Sequence, residues 1–112
     1  MNCLFCSISK GEIPSSKVYE DEVCFAFHDI APQAPVHVLV IPKEHIPSVD
    51  GVNADNAHVV GHIFSVIPRI AAELDLADGY RVITNIGENG CQTVKHLHFH
   101  ILGGKKLSEQ IV

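Results

Sequence analysis

The stretch His96-Leu97-His98-Phe99-His100-Ile101 alternates imidazole with apolar side chains at every position. Because successive side chains of a β-strand point to opposite faces, this pattern predicts a strand with its three imidazoles on one face. A single histidine on a strand would be an ordinary surface residue. Three on one face favour chemistry, since imidazole titrates near neutral pH and can act as acid, base or nucleophile. Such a face could bind a metal, relay protons or surround a phosphate.

The loop before this strand favours the phosphate interpretation. It spans residues 85–94 and contains two glycines, which give its backbone freedom. Asn85, Gln92 and Thr93 carry side chains that can hydrogen-bond phosphate oxygens or a leaving group. A plain polar turn is the alternative.

The rest of the chain predicts an α+β fold. Two short apolar runs form a hairpin, a β-branched run that ends at Pro42 forms a third strand, and three-and-four spacing over residues 55–74 indicates the main helix. Pro68 lies inside this helix and predicts a kink one turn before it. The predicted strands cover residues 18–19, 23–28, 37–41, 80–85 and 97–102. This order favours a mainly antiparallel sheet in a single domain, residues 1–112.

Composition, charge and cysteine content narrow the class of protein. The 112 residues are 46% hydrophobic, enough for one core, and a formal net charge of −5 gives no general basic surface for nucleic acid. The amino terminus resembles neither a secretory signal nor a membrane span, so we expect a cytoplasmic protein. In a reducing compartment the pair Cys3 and Cys6 is more often a metal or redox site than a disulfide. Cys24 lies in an apolar run and is expected to fill the core.

Three motifs together resemble those of the histidine triad superfamily. They are HDIAPQAPVHVLVIPK at residues 28–43, GYR at 79–81 and GCQTVKHLHFHILGG at 90–104. They are most similar to the Hint branch, the nucleoside phosphoramidases, and the resemblance extends over nearly the whole chain. It implies an α+β homodimer. Each subunit would have a five-stranded antiparallel sheet, one long helix and one short helix, and the two sheets would join into one of ten strands.

The resemblance also implies an activity, the hydrolysis of purine nucleoside phosphoramidates. His98 would attack the α-phosphate of a nucleotide such as AMP or GMP and form a nucleotidyl-histidine intermediate, which water hydrolyses without a catalytic cofactor. A neutral imidazole can do this if a carbonyl holds its other ring nitrogen. His100 and His37 would support the nucleophile and the phosphate, and His96 completes the catalytic set. Other positions match nucleotide-binding residues: Asn85, Gln92 and Thr93 for phosphate and leaving group, Asp29 for ribose, His28 and Ile30 for the base.

A structural zinc is a further implication. Cys3 and Cys6 have metal-ligand spacing, and by resemblance to several bacterial members His45 and His96 complete a Cys2His2 set. Spacing alone does not bring these histidines to the cysteines, so free thiols remain the alternative. A closed four-ligand set indicates a structural metal, which would clamp the amino-terminal segment and fix His96. His58 and His62 lie one helical turn apart and could mimic a metal pair, but both are expected to be solvated.

Two other functions stay open. One is dinucleoside polyphosphate hydrolysis, as in the other branch of the superfamily, and the other is a nucleotide-binding dimeric interaction protein whose catalysis is incidental. Two departures from the Hint pattern bear on the substrate. Cys91 occupies a loop position that is usually glycine, and residues 105–112 replace a longer tail that shapes the leaving-group side of the pocket.

Overall fold

The computed structural model describes residues 3–111, which form one antiparallel sheet of five strands with two α-helices. The strands are β1 (Lys17–Glu20), β2 (Cys24–His28), β3 (Val36–Pro42), β4 (Tyr80–Ile83) and β5 (Phe99–Gly103). The helices are α1 (Leu4–Ser9) and α2 (Ala57–Glu73), and Val49–Gly51 forms one 3-10 turn. The strand order is β1-β2-β3-β5-β4. The predicted α+β class and antiparallel sheet are confirmed.

One face of the sheet packs against α2 and forms the main core. The buried side chains are Val59, Ile63, Val66, Ile67 and Ile70 from α2, and Ala26, Val38, Val40, Phe99 and Ile101 from the sheet. Full burial of one such large side chain stabilises a fold by about 1.5–3 kcal/mol. Cys24 is fully buried in the same cluster, as predicted.

The opposite face of the sheet is covered by α1 and carries the histidines. A smaller cluster there joins Cys3, Phe5 and Ile8 to Phe25, Phe27, Leu39 and Ile41. Leu39 of β3 pairs with His100 of β5, and His100 pairs with Ile83 of β4. Directly paired residues share a face, so His100 lies on the α1 side of the sheet.

The helix α2 is shorter than predicted and continues through Pro68 without a break. Pro68 removes the amide that would bond to the carbonyl of Phe64, and both residues are exposed, so water can reach that carbonyl. The helix ends where Asp75 adopts a left-handed conformation (φ 59°) and the Leu76 amide donates to the Ala71 carbonyl over 2.9 Å. Neither helix within residues 3–111 has the length and apolarity needed to cross a membrane.

The histidine stretch only partly forms a strand, because β5 begins at Phe99 rather than at residue 97. The Leu97 amide donates to the Ile46 carbonyl over 2.6 Å, and the Thr84 hydroxyl donates to the His98 carbonyl over 2.8 Å. These bonds to loops replace the ladder to β3, so His96 and His98 precede the strand. The prediction that all three imidazoles lie on one regular strand was therefore wrong for the first two.

Candidate active site and metal centre

The ring of His98 is held in a single tautomer by the backbone. The side chain is only 4% exposed, and its Nδ1 lies 2.7 Å from the carbonyl oxygen of His96. A carbonyl oxygen only accepts, so Nδ1 carries the proton and donates it. The other nitrogen, Nε2, is left with a free lone pair. This is the form that a nucleophilic imidazole needs.

A relay through His37 fixes the tautomer of His100. The backbone amide of Gln33 donates to His37 Nδ1 over 3.0 Å, which places the proton of His37 on Nε2. That nitrogen lies 2.8 Å from His100 Nδ1 and donates to it. The proton of His100 is then on Nε2, a buried nitrogen that has no hydrogen-bond partner among residues 3–111. The relay therefore leaves one N–H group ready to donate to a ligand.

His98 and His100 supply complementary groups at one place. Their ring centroids are 5.1 Å apart, so the ring with a free lone pair and the ring with a free N–H donor are neighbours. A phosphate could accept a hydrogen bond from His100 while its phosphorus approaches His98 Nε2. Donors that are already oriented stabilise charge without reorganising during the reaction.

Burial keeps the supporting histidines neutral near pH 7. Burial, followed by the nearby His98 and His37, lowers the pKa of His100 to about 4. Burial likewise lowers the pKa of His37, although the Asp29 carboxylate, 3.4 Å from His37 Nε2, acts in the opposite direction. Because both rings are neutral, the tautomers set by hydrogen bonds are the forms present at neutral pH.

Phe5 of α1 is a site residue that the sequence pattern did not identify. Its ring meets the ring of His98 edge to face, with centroids 5.1 Å apart at 87°. It also contacts Phe27, at 5.6 Å. A six-residue helix has no useful apolar period, and the signal that could have identified Phe5 was its position between two cysteines of one candidate metal cluster.

A cleft of about 550 Å³ opens beside His100 and runs to the edge strand β4. Its polar lining consists of Gln33, His37, Arg81, Asn85 and His100, and its apolar lining consists of Val82, Ile83, Leu102 and Ile111. The structure thus brings Asn85 to the histidines, as expected for a residue that contacts a ligand. Arg81, which was noted only as part of a motif, lies in the same cleft.

The side chain of Gln92 stabilises the loop before β5 by hydrogen bonds. Its side-chain amide donates to the carbonyls of Pro47 (2.7 Å) and Val94 (3.0 Å), and its Oε1 accepts from the Gly87 amide at 3.1 Å. Gly90 is required in this loop, since a Cβ there would lie 2.4 Å from the carbonyl oxygen of Ile86. The neighbouring Thr93 is exposed. Gln92 therefore holds the loop in shape, with its polar atoms already bonded.

The residues matched to ribose and base lie around the start of the β2–β3 connection. Asp29 is half-buried, with Oδ1 accepting from the Ala31 amide at 2.8 Å and Oδ2 facing His37. His28 is exposed at the end of β2, and Ile30 is fully exposed. The structure brings Asp29 to the histidines and leaves His28 and Ile30 at the surface.

The second cluster brings together Cys3, Cys6, His45 and His96, whose ligand atoms all lie within 4.8 Å of one another. The Sγ atom of Cys3 is 3.3 Å from His96 Nδ1, and that of Cys6 is 3.3 Å from His45 Nδ1. The two Nδ1 atoms are 3.2 Å apart. A tetrahedral zinc with ordinary bond lengths would separate sulfur from nitrogen by about 3.5 Å and nitrogen from nitrogen by about 3.3 Å. The cluster therefore fits a Cys2His2 metal site.

His96 is oriented toward this centre by its second nitrogen. Its Nε2 lies 2.9 Å from the carbonyl oxygen of Pro42 and donates to it, which leaves the lone pair of Nδ1 directed at the cysteines. Burial lowers the pKa of His96, so the ring is neutral and able to act as a ligand. The structure thus places His96, which had also been assigned to the catalytic set, in the candidate metal cluster.

A third histidine contact lies on the α2 side, where His62 meets the β1–β2 turn. His58 is exposed as expected, whereas His62 is not merely solvated, because its Nε2 lies 2.7 Å from Asp21 Oδ2. The same carboxylate accepts from the Tyr19 hydroxyl and from two backbone amides of the turn. Cys24 lies close by, but burial raises its pKa to about 12, which leaves it without the thiolate that a metal would need.

Comparison with known proteins agrees with this geometry. The sequence profile of the HIT domain family matches residues 10–107. An uncharacterized HIT-like protein of Synechococcus elongatus is 48% identical over 105 residues, which cover 94% of this chain and 92% of that protein. A HIT family hydrolase from Clostridium thermocellum is 49% identical with a TM-score of 0.96, covering 99% and 97% of the two chains. A histidine triad protein from Clostridium difficile is 50% identical with a TM-score of 0.95, covering 98% and 96%.

The profile match includes the sheet, α2 and the histidine stretch, and the two structural matches extend over nearly the whole chain. A relationship at this level of identity over nearly the full chain extends beyond shared architecture. The chain belongs to the HIT domain family.

Proposed function

We propose that this protein hydrolyses purine nucleoside phosphoramidates through a nucleotidyl-histidine intermediate on His98. The observation that carries the proposal is the hydrogen bond from His98 Nδ1 to the His96 carbonyl, which leaves Nε2 free to attack phosphorus. The unused N–H of His100 beside it supports a phosphate as the group attacked. Solved relatives from Clostridium thermocellum and Legionella pneumophila are named HIT family hydrolases, which supports hydrolysis as the class of reaction.

The reaction proceeds in two displacements. The lone pair of His98 Nε2 forms a bond to the α-phosphorus, and the phosphorus–nitrogen bond breaks with its electrons going to the nitrogen. That nitrogen takes a proton from solvent as the bond breaks and therefore leaves as a neutral amine. Water then attacks phosphorus, the bond to Nε2 breaks, and the departing amine takes the proton of the water. Dividing one difficult substitution into two easier ones is the advantage of a nucleophilic residue.

The surrounding residues orient the nucleotide. His100 Nε2–H and the Asn85 amide donate to the phosphate oxygens, and Asp29 accepts from the ribose hydroxyls. Thr93 adds a hydroxyl from the loop. Charge moves onto the phosphate oxygens during each displacement, and donors placed in advance lower the energy of that state.

The Cys2His2 cluster holds a structural zinc in this proposal. A closed four-ligand set leaves no open position for substrate, so the metal supplies rigidity rather than Lewis acidity. Cys3 and Cys6 flank Phe5, so their binding holds α1 against His98. A cytoplasmic location belongs to the same proposal, because a reducing compartment keeps such thiols available.

A homodimer also forms part of the proposal. Within residues 3–111, β1 and β4 are the edges of the sheet, and edge strands present unpaired backbone groups. Pairing of two copies along β4 would continue the sheet and bring the two clefts close together. Light scattering of the purified protein measures the oligomeric state. A monomer at micromolar concentration would contradict the proposed homodimer.

The function is tested with two substrates and two matched variants. The substrates are an adenosine 5′-phosphoramidate of a simple amine and diadenosine tetraphosphate. We expect faster AMP release from the phosphoramidate, a loss of at least about 10³-fold in His98→Asn, and no change in His58→Asn, an exposed histidine of α2. Acid quenching should trap one adenylyl group on the wild type.

The other outcomes point to the alternative functions. Faster hydrolysis of diadenosine tetraphosphate would assign the chain to polyphosphate chemistry. Nucleotide binding without turnover that depends on His98 would identify an interaction protein instead.

A further inference from the structure

The cleft continues from His100 to an arginine that the proposed mechanism does not use. Arg81 of β4 pairs in register with Leu102 of β5, and Leu102 pairs with His37 of β3. The three side chains therefore form one row on the histidine face of the sheet. Neighbouring strands lie about 4.8 Å apart, so the Cα atoms of Arg81 and His37 are separated by about 10 Å.

In an in-line displacement at phosphorus, the leaving group lies on the side opposite the attacking atom. His98, His100 and Leu102 follow one another along the segment that leads into β5 and through it. Arg81 of β4 lies beside Leu102. A phosphate bound at His98 and His100 would place its leaving group farther along this line, over Leu102 and toward the edge strand. Arg81 would then meet the outer part of the leaving group.

Arg81 is held in place and keeps most of its donors. Its Nη2 donates to the Ser108 carbonyl over 2.6 Å, which is one of the five N–H groups of a guanidinium. No carboxylate within residues 3–111 forms an ion pair with Arg81, whereas Glu20 pairs with two lysines. Of the described residues that line the cleft, Arg81 alone carries a permanent charge. The carboxylate of Asp29 lies beside His37, at the opposite end of the row.

We propose that Arg81 determines specificity by binding a carboxylate on the leaving group, so that the preferred substrates are nucleoside phosphoramidates of amino acids. The planar fork of a guanidinium matches a carboxylate in two parallel hydrogen bonds. In an α-amino acid the carboxylate carbon is two covalent bonds from the leaving nitrogen. This short separation suits Arg81, whose row of side chains lies next to His100. The inference rests on the proposed function, since it concerns the leaving group of that reaction.

The experiment compares two substrates that differ in one charge. They are the phosphoramidate of AMP with alanine and the same compound with its carboxylate converted to a carboxamide. We expect the wild type to favour the carboxylate by about 10-fold in kcat/KM, the effect of a hydrogen bond to a charged group. In Arg81→Gln that preference should disappear through a loss on the carboxylate alone, and Arg81→Lys should retain part of it.

Arg69→Gln is the matched control. Arg69 lies on α2, over the ring of Tyr19 at 5.6 Å, so the variant removes the same charge far from the cleft. Its preference for the carboxylate should equal that of the wild type. An Arg81 variant with the same loss on both substrates would show a structural role and overturn the inference.

The outcomes also separate this inference from the function on which it depends. Equal His98-dependent hydrolysis of both alanine compounds by the wild type would overturn the role of Arg81 and leave the phosphoramidase intact. Absence of His98-dependent AMP release from either compound would overturn both. Faster cleavage of diadenosine tetraphosphate that requires Arg81 would show that the arginine binds phosphate instead.

Discussion

His96 and His98 are two residues apart, both buried, and yet suited to opposite tasks. In each ring one nitrogen donates to a backbone carbonyl: Nε2 of His96 to Pro42, and Nδ1 of His98 to His96 itself. The remaining nitrogen of His96 therefore points at two cysteines, and that of His98 is free beside His100. The role of a histidine in this fold therefore depends on which of its ring nitrogens donates to a backbone carbonyl.

The two centres are also joined through one peptide unit. The carbonyl that orients His98 belongs to His96, whose ring is part of the candidate metal cluster. A metal that fixes His96 would thus fix the acceptor that sets the tautomer of His98. Variants of either centre therefore show how far the two centres depend on each other.

The largest expected effect is loss of the metal in Cys6→Ser. Zinc measured by elemental analysis should fall from about one per chain to nearly none, because three ligands do not close a tetrahedral site. Loss of about 2 kcal/mol of stability would lower Tm by roughly 10 °C. His98→Asn should keep its zinc, and Cys91→Ser, at an exposed cysteine, should keep both zinc and Tm. Zinc loss in His98→Asn would contradict the separation of the two centres.

A smaller effect is expected from breaking the relay to His100. His37→Leu removes the donor to His100 Nδ1, so the proton of His100 is no longer directed to Nε2, and kcat should fall about 10- to 100-fold. His37→Gln restores a side-chain donor and should recover most of the rate. The measurement is kcat on the adenosine phosphoramidate. Equal loss in both variants would show that His37 contributes shape rather than a hydrogen bond.

The buried His37 and the partly buried His100 also predict a dependence of stability on pH. Their pKa values are lowered in the folded state, that of His100 to about 4. The unfolded chain binds these protons first, so their contribution is complete above about pH 6.5 and is lost as pH falls toward 4. Tm should therefore drop across this range, and the drop should be smaller in His100→Gln than in His58→Gln. An identical drop in both variants would assign the dependence to other groups.

The sequence predicted the sheet and the position of the histidines more fully than the contacts that connect them. Alternation at residues 96–101 located the histidines, but β5 begins at Phe99 because Leu97 bonds to a loop at Ile46. That same bond brings the segments of His45 and His96 together, which spacing could not show. Contacts between segments far apart in sequence depend on the folded backbone, so the metal cluster was supported by resemblance alone.

The side chains that cover the site were harder to predict than the histidines themselves. Phe5 belongs to a helix too short for a periodic pattern, and its contact with His98 depends on where α1 is anchored. Arg81 occupies an ordinary strand position, and only the register of β4 with β5 places it in the cleft. In both cases local sequence predicted an element, while its partner was decided by tertiary packing.

The smallest expected effect concerns His62, where the ring nitrogen meets a carboxylate rather than a carbonyl. A partly exposed ion pair contributes at most about 1 kcal/mol, so His62→Ala should lower the free energy of unfolding by no more than that. Asp21→Ala should cost more, since Asp21 also accepts from the amides of Val23 and Cys24 and organises the turn. Urea unfolding of both variants measures this, with zinc content and kcat unchanged in His62→Ala. A fall in kcat there would mean that α2 communicates with the opposite face of the sheet, and that a histidine held by a carboxylate also supports the chemistry of His98.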